Sequence, residues 1–490
     1  MTGAGPQLAR RLTVWSAVGV SIALMAPSMA ININPQASSA VTGRAVPVAF
    51  LLATIGVLLI AHTFVRLSQR FSHSGSVYAF VGVTLGPRSG VVAGWLNACT
   101  YVLFGVVTST AAAIFLTDLA RKVLAPNDLP NWAAFPLAWV VLFGMWALAT
   151  RDVRGGTTVL LVTEGLTILL ILVVAGVTLT KLIAGENLIT GTAGHRFDLS
   201  VFSVAPGTSV ANLFLGVVFG FLSFAGFEAA ATLGEETAHP HRDIPRAILA
   251  TAVLGGVFFV AVSAIAMMAF GSDAAGVSAF THSEALIGDL AQRYVAAWVA
   301  DLIVIGAAFS AAACCLASLV GASRLVFALS RDGMGPAALA GVHPVRAVPH
   351  AAATACAVTV AVVQLLGWAV LHARPFDVFT IAGAAGTLIL LVAYAMACLG
   401  ALRLFVQTQG SAQGSALSKW EVAIPVLGLA LLGYTVFRNV VPLPQGTAQW
   451  GPGVAIAVLG IVVAAALARP AAARSAGAKL LAQSGLPADR

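Results

Sequence analysis

The sequence predicts an all-α polytopic membrane protein with twelve transmembrane helices. This prediction rests on composition, on the number of long apolar runs and on the positions of the basic residues. Of the 490 residues, 59% are hydrophobic and 9% are charged, and the mean hydropathy is +0.95. Soluble domains carry about 25% charged residues, so the composition excludes that class. The net charge of +8 does not indicate nucleic-acid binding, because the basic residues are scattered singly through the loops.

Twelve apolar runs are long enough to cross a bilayer, whose hydrocarbon core of about 30 Å requires roughly 20 helical residues. We expect the first run to be kept as a span, although Arg10-Arg11 and the small residues at Ser28-Met29-Ala30 resemble parts of a signal peptide. The runs cover residues 14–33, 47–65, 90–117, 134–150, 156–180, 210–233, 247–270, 296–327, 350–371, 377–402, 421–440 and 451–468.

The basic residues predict the orientation of these spans. With the N-terminus in the cytoplasm, 18 of the 26 Lys and Arg residues fall in cytoplasmic segments and 8 in external ones. This bias follows the positive-inside rule and predicts that both termini are cytoplasmic in a multi-pass protein of the cell membrane. The predicted units are a tail at 1–11, a first repeat at 12–180, an external loop at 181–209, a second repeat at 210–402, two further helices at 403–468 and a tail at 469–490.

Signs of an enzyme are missing from the sequence. It contains no Walker loop, no G-x-S-x-G, no H-E-x-x-H and no cluster of Cys and His, and no loop is long enough for a soluble catalytic domain. We therefore predict neither a cofactor nor a metal. The cysteines all lie inside apolar runs and are expected to be small core residues: Cys99, Cys314, Cys315, Cys356 and Cys398.

The sixth apolar run carries an acidic residue at membrane depth. Glu228 lies in the run 210–233, two positions after the end of the small segment Ser223-Phe224-Ala225-Gly226. A carboxylate in hydrocarbon is costly, so one that is kept indicates a function. Small residues before it let the helix lose its regular ladder, which is tolerated only around a cavity. We predict a discontinuous transport helix that ends in a polar loop at Glu235-Glu236.

The first apolar run is also predicted to be interrupted. Pro27 lies in the middle of it and removes one backbone hydrogen bond, and Gly19 and Ser21 lie just before. An ordinary proline kink is the alternative. Two interrupted helices at corresponding positions of two halves are the best sequence sign of a transporter binding site, so we favour a broken helix.

Three stretches resemble signatures of the amino acid–polyamine–organocation (APC) permeases, in their amino acid permease branch. They are GFE with EE and HPHRDIPRAI at 226–248, SHSGSVY with a later Gly-Trp at 72–95, and SR with RDGMGP at 323–336. The resemblance implies a LeuT-like fold, in which helices 1–5 and 6–10 form a 5+5 inverted repeat with broken helices 1 and 6, plus two extra helices. The sequence departs from the family at the first break, where Ala23-Leu24-Met25 stands for a Gly-small-Gly run.

Two broken helices would suit a zwitterionic substrate. The amides at the start of the second half-helix lie at a positive dipole end and would bind a carboxylate, whereas the carbonyls that end the first half-helices would accept from an ammonium. The predicted substrate-binding residues are Ser21, Ile22, Ala23, Met25, Ala26, Tyr101, Phe224, Ala225 and Gly226. Asn97 is a further residue of span three that is expected to face the site.

Glu228 and Glu164 are the predicted coupling or gating residues. Some family antiporters use the glutamate that matches Glu228 as a proton-responsive gate element. They also carry a gating tryptophan six residues earlier, where this chain has Leu222, so Phe221 or Phe224 would have to replace it. Proton-coupled members often hold a lysine where Glu164 stands. A structural role remains the alternative for both glutamates.

The predicted function is secondary active transport of an amino acid by alternating access, as a proton symporter or an exchanging antiporter. The alternatives are a polyamine or organic-amine permease of the same fold, or a membrane-embedded enzyme or sensor. The expected partners are a small-molecule substrate, protons and the lipid bilayer, with no nucleic acid. The oligomeric state is left open.

Overall fold

The computed structural model describes most of the chain, and its regular elements are helices. The described residues are 13–70, 77–124, 129–151, 156–186, 188–189, 194–205, 209–233, 237, 239–343, 348–408, 419–468 and 475. The predicted Glu235-Glu236 pair and the motif residues 72–76 lie outside these ranges.

Sixteen α-helices follow one another along the described residues. They are α1 Val14–Met25, α2 Pro27–Thr42, α3 Val46–Arg70, α4 Val77–Leu85, α5 Pro87–Leu124, α6 Ala134–Ala149, α7 Gly156–Ala184, α8 Val210–Ser223, α9 Pro240–Phe270, α10 Ala274–Thr281, α11 Leu286–Tyr294, α12 Ala297–Arg331, α13 His350–Ala369, α14 Pro375–Thr408, α15 Ala423–Val440 and α16 Trp450–Ala468.

The predicted class, an all-helical membrane protein, is confirmed. Ten helical segments of the described chain are long and apolar enough to span a membrane, and Val210–Ser223 is a shorter apolar helix. The first segment, Ala17–Arg70, has 54 residues and includes α2 and α3. At 1.5 Å per residue it would extend about 80 Å if straight, which is long enough for two crossings. The count of twelve spans and the inverted repeat stay predictions.

Both predicted interruptions are present in the fold. The first apolar run is divided between α1 and α2 at Ala26, and the sixth run leaves the α-helix after Ser223. Beyond Ser223 the chain forms turns and then a short 3-10 helix at Ala229–Leu233. The proline kink considered for the first run is therefore a real break, since Ala26 has left-handed backbone angles (φ 46°, ψ 57°).

The helices around the two breaks pack as three close pairs. Helix α2 packs on α8, α3 packs on α9, and α5 packs on α12. Small residues allow the approach: a Cβ added at Gly220 of α8 would lie 2.6 Å from the Ala53 side chain of α3. Helix association in a membrane depends on such close backbone packing because lipid offers no hydrophobic driving force between helices.

Buried amides connect α2 to the loop that holds α10 and α11. The Oδ1 atom of Asn32 accepts from the backbone N–H groups of Ile287 (2.9 Å) and Gly288 (3.3 Å), in the first turn of α11. Its Nδ2 donates to the carbonyl of Ser28 (2.8 Å). In addition, the amide of Gln36 donates to the Ser283 carbonyl. These contacts join the second half of the first broken helix to the face that is predicted to be external.

We expect the substitution Asn32→Leu to lower the free energy of unfolding by about 2 kcal/mol, because two buried N–H groups of α11 lose their acceptor. Thermal unfolding of the purified protein in detergent measures the effect. Asn32→Asp keeps the acceptor oxygens and is expected to lose less. Equal unfolding temperatures for Asn32→Leu and the wild type would show that this connection does not stabilise the fold.

Candidate functional site

The first break frees three backbone carbonyls at the end of α1. The carbonyl of Ala23 has no helical partner because Pro27 lacks an N–H. The N–H groups that would pair with Leu24 and Met25 point to side chains of other helices instead. The carbonyl of Leu24 accepts from the thiol of Cys314 in α12, at 3.1 Å. The end of α1 is thus rich in hydrogen-bond acceptors.

The amides that start α2 are already paired within the protein. Ser28 N–H donates to Oε1 of Glu164 (3.0 Å), and Met29 N–H donates to the hydroxyl of Ser310 (3.3 Å). Ala30 N–H donates to the carbonyl of Ala26 (2.9 Å). The expectation that these amides are open to a substrate carboxylate is therefore wrong for this structure, because a carboxylate of the chain itself occupies the first of them.

Glu164 caps the start of α2 and is not among the residues that line the pocket described below. It lies on α7 and is 5% exposed. The hydroxyl groups of Ser28 and Ser310 lie beside its carboxyl group. The structure thus joins α7, α2 and α12 at the first break through one acidic side chain. A carboxylate at a helix N-terminus is favoured by the helix dipole and by the unpaired amides.

The second break meets the first at Gly226. This glycine has φ +101°, and a Cβ added to it would lie 2.8–2.9 Å from three side-chain carbons of Leu24. Only glycine adopts this backbone region readily, and only its lack of a side chain permits the approach. A second contact connects the two breaks: the hydroxyl group of Ser21 in α1 accepts a hydrogen bond from the Ala230 N–H at 2.9 Å.

A narrow pocket of about 30 Å³ lies between the breaks. It is mostly apolar, and among the described residues that line it Glu228 is the one with an acidic or basic side chain. Its lining combines residues of α1, α2, α5, α8, the second break, α12 and α14: Leu24, Met25, Met29, Asn97, Thr100, Tyr101, Phe104, Val107, Thr108, Leu222, Ala225, Gly226, Glu228, Cys314, Ser318 and Leu390.

Six of the residues that were expected at the site line this pocket, and the others lie around it. Those in the lining are Met25, Asn97, Tyr101, Ala225, Gly226 and Glu228.

Four predicted substrate-binding residues, all in α1 or at the first break, have structural roles instead: Ser21, Ile22, Ala23 and Ala26. Ile22 accepts from Ala26 N–H through its carbonyl, and Ala26 is the residue that breaks the helix. Ser21 holds the second break, and Ala23 contributes a carbonyl. None of these four is among the lining residues.

The aromatic residues proposed as gates do not reach the pocket. Phe224 packs edge-on against Phe259 of α9, with ring centroids 5.3 Å apart, and is fully buried. Phe221 is directed at α3, where its ring would meet a Cβ added at Gly56. Leu222, which stands in the position of the family tryptophan, does line the pocket. Gating by Phe221 or Phe224 is therefore not supported by their packing.

Glu228 is the chemically reactive group of the pocket. Backbone amides at Gly226 and at Glu228 itself hold its carboxyl group. Its Oε2 atom has no hydrogen-bond partner among the described residues, and neither has the phenol oxygen of Tyr394. Tyr394 lies close enough to interact with this carboxyl, although the pair lacks hydrogen-bond geometry in this conformation. Glu228 thus presents a free acceptor.

An aromatic cluster closes the pocket toward the predicted cytoplasmic side. Phe64 of α3 lies 5.7 Å from Tyr394 and 6.2 Å from Phe227, measured between ring centroids, and Phe80 lies 5.8 Å from Phe64. All four side chains are buried. Phe227 is the chain neighbour of Glu228 and Tyr394 interacts with its carboxyl group, so this cluster lies directly beside the acidic group of the pocket.

A larger vestibule of about 430 Å³ opens toward the predicted external side. Phe219 lies at its base, beside Gly383, which also faces the pocket residues Val107 and Leu222. Arg121 of α5 lines its wall and donates to both carboxylate oxygens of Glu284, at 2.6 and 2.8 Å. The apolar side chains of Phe219, Val107 and Leu222 therefore lie between the vestibule and the pocket.

Several lining residues were not predicted. Thr100, Phe104 and Val107 lie on the same face of α5 as Asn97 and Tyr101, so the helical period, counted from these two residues, could have identified them. Ser318 and Cys314 lie one turn apart on α12. They carry no signal of their own, because small polar residues are frequent at interfaces between membrane helices.

Comparison with known proteins places the chain in a family. The model of the amino acid permease family matches residues 18–472. The low-affinity putrescine importer PlaP of Escherichia coli (strain K12) is 27% identical over 341 residues, which cover 69% of this chain and 71% of the importer. The branched-chain amino acid permease BcaP of Bacillus subtilis (strain 168) is 25% identical over 327 residues, covering 63% and 65%.

A solved structure supports the fold. The crystal structure of the Eremococcus coleocola manganese transporter, in complex with an aromatic bis-isothiourea substituted compound, matches with a TM-score of 0.53 over 96% of this chain and 97% of that chain. The sequence identity is 11%, so this likeness concerns the fold alone. From the family model, which covers nearly the whole chain, we conclude that the protein belongs to the amino acid permease family, whose members are membrane transporters and not enzymes.

Proposed function

We propose that this secondary transporter binds a small amino compound between the breaks of its first and sixth spans and moves it by alternating access. The observation that carries the proposal is the meeting of the two breaks around a pocket lined by Glu228, whose buried Oε2 atom has no hydrogen-bond partner among the described residues. A carboxylate and freed carbonyls are suitable acceptors for an ammonium group. The relatives named putrescine importer and branched-chain amino acid permease support a substrate that carries an amine.

Access to the pocket differs between its two sides. The vestibule leads toward it from the predicted external side, and the cluster of Phe64, Phe80, Phe227 and Tyr394 blocks the opposite side. The proposed cycle therefore starts in an occluded conformation, in which the external vestibule is the nearer way to the pocket. The pocket holds about 30 Å³, so Leu222 and its neighbours must move apart to admit a solute.

The helix pairs support the proposed inverted repeat. The pairs α2 with α8, α3 with α9, and α5 with α12 join predicted spans one and six, two and seven, and three and eight. Each partner lies five spans further along the chain, which is the relation that a 5+5 repeat would produce. The cytoplasmic location of both termini belongs to the same proposal and rests on the distribution of Lys and Arg.

Glu164 is the proposed proton-carrying residue of the cycle. It is buried at the first break, where its carboxyl group accepts from Ser28 N–H. Protonation would weaken this cap, because the negative charge that the helix dipole favours is lost. A proton could thereby loosen α2 from α7 and α12.

We predict that Glu164→Gln abolishes the dependence of uptake on a pH gradient, because an amide cannot bind and release the proton. The measurement uses proteoliposomes and a panel of labelled amines and amino acids, with and without an imposed gradient. The exposed acid variant Asp301→Asn serves as the control and should keep the gradient dependence, since its side chain is 48% exposed. Unchanged gradient dependence in Glu164→Gln would remove Glu164 from the coupling mechanism.

The same panel tests the proposed function itself. Saturable uptake or exchange of at least one compound by the wild type is the expected result. If the reconstituted protein moves and exchanges no member of the panel, the proposed transport of an amino compound is contradicted.

A further inference from the structure

The groups around the pocket differ in what they can recognise. Toward an ammonium group, the pocket offers the carboxyl group of Glu228 and the freed carbonyl of Met25. Toward a carboxylate, it offers no charged partner, since the residues that line the pocket in the described chain include no Lys, Arg or His. A substrate carboxylate would instead share the pocket with the carboxyl group of Glu228.

The backbone does not replace the missing cation. The amides of Ser28, Met29 and Ala30 are used by Glu164, by Ser310 and by the Ala26 carbonyl. At the second break, the amides of Ala229 and Ala231 donate to nearby carbonyls, and the amide of Ala230 donates to Ser21. A carboxylate taken from water into this pocket would therefore find only neutral side-chain donors such as Asn97 and Tyr101, with neither a cation nor an open backbone amide to stabilise its charge.

The position of the Glu164 side chain is fixed by buried hydrogen-bonding partners. Its Oε1 lies 3.0 Å from Ser28 N, its side chain is 5% exposed, and the serine hydroxyls of two helices lie beside it. The carboxylate that binds the start of α2 thus belongs to the protein. A solute carboxylate could take this place only by displacing a covalently tethered one, whose effective concentration is far higher.

We propose that Glu164 acts as a built-in carboxylate that selects substrates without a carboxyl group. This inference rests on the proposed function and specifies its substrate class: an amine with an apolar body, whose ammonium group binds Glu228. The walls formed by Met25, Met29, Phe104, Val107 and Leu390 suit such a body. A compound that carries a carboxylate on the carbon next to the amine is disfavoured, because that group finds neither a cation nor an open backbone amide.

Matched pairs of compounds test this selectivity. Putrescine and ornithine, cadaverine and lysine, and 3-methylbutylamine and leucine each differ by one carboxyl group. The full-length protein is purified, and saturable binding of each labelled compound is measured at equilibrium. We expect the wild type to bind the amine at least about 10-fold more tightly than its amino acid in at least one pair, which is a difference of about 1.4 kcal/mol. Amino acids that bind as tightly as their amines in every pair would overturn the inference.

Two variants of Glu164 separate its selective role from its proposed coupling role. Glu164→Ala leaves the Ser28 amide open and is expected to improve amino acid binding about 10-fold relative to the amine. Glu164→Gln keeps an acceptor oxygen on that amide and is expected to retain the wild-type preference, even though it loses gradient dependence. If Glu164→Ala is monodisperse in detergent and keeps the wild-type ratio, the assignment to Glu164 is wrong.

The outcomes also separate this inference from the proposed function. Saturable binding and uptake of amino acids in preference to amines overturns the substrate class and leaves transport between the breaks intact. Absence of binding for every compound overturns the proposed function and this inference with it. Should Glu164→Ala not be monodisperse, Glu164→Leu, which also removes the acceptor of the Ser28 amide, replaces it: a weaker amine preference supports the inference, and the wild-type ratio contradicts it.

Discussion

Glu228→Gln is expected to reduce substrate uptake by about 100-fold, because the ammonium group loses its charged partner in a site with little water. A charge-assisted hydrogen bond between buried partners is worth a few kcal/mol, and every 1.4 kcal/mol corresponds to about a tenfold change. The glutamine side chain has nearly the same shape, so the loss reports on charge and not on packing. Initial uptake rates in proteoliposomes, normalised to reconstituted protein, provide the measurement.

The location of the carboxylate can be separated from its mere presence. Asp301→Asn removes an acidic group from α12 that is 48% exposed and lies 3.8 Å from Lys122. An exposed pair of this kind contributes little, so this control is expected to transport at a rate close to that of the wild type. A Glu228→Gln variant as active as the control would show that Glu228 does not bind the substrate.

Gly226→Ala is expected to cause a comparable loss of uptake, through geometry. The alanine would have to adopt φ +101°, and its Cβ would overlap the side chain of Leu24. Backbone strain of this type costs about 1–3 kcal/mol, and the overlap adds to it, so the two breaks must move apart. We expect uptake to fall by about 100-fold and the unfolding temperature to fall as well. Both are measured on the same purified protein.

A second glycine provides the matched control for this prediction. Gly19 lies in α1, a short distance before the first break, and a Cβ added there meets no atom within 4 Å. Alanine favours a helix over glycine by about 1 kcal/mol, so Gly19→Ala should preserve or raise the stability and retain uptake. If Gly226→Ala behaves like Gly19→Ala, the close meeting of the two breaks is not needed for transport.

The features that could be predicted from the sequence are those that follow from local chemistry. Pro27 has no backbone N–H to donate, and a carboxyl group such as that of Glu228 is costly to bury in lipid. These two local properties were enough to predict both breaks. The long apolar runs likewise correspond to helices in the structure, with ends a few residues further out, as in Pro87–Leu124 and Pro375–Thr408. Helix ends depend on capping and on interfacial residues, which the pattern of apolar residues does not contain.

The features that could not be predicted depend on contacts between distant segments. Glu164 and Ser28 are separated by 136 residues, and their contact decides which groups remain open at the first break. Tyr394 lies beside Glu228 only because α14 passes the second break, and nothing near Tyr394 in the sequence indicates it. The prediction of a zwitterion site treated the amides of α2 as unpaired. In the structure, Ser28 N–H donates to Glu164 of α7 and Met29 N–H donates to Ser310 of α12 instead.

The most direct measurement is a cryo-electron microscopy structure of the protein in lipid nanodiscs with a bound amine from the panel. The account predicts density between the two breaks, with the amine nitrogen within hydrogen-bond distance of a Glu228 carboxylate oxygen and Glu164 still bound to Ser28 N–H. Density confined to the vestibule beside Arg121, or a ligand carboxylate on the α2 amides with Glu164 displaced, would contradict it.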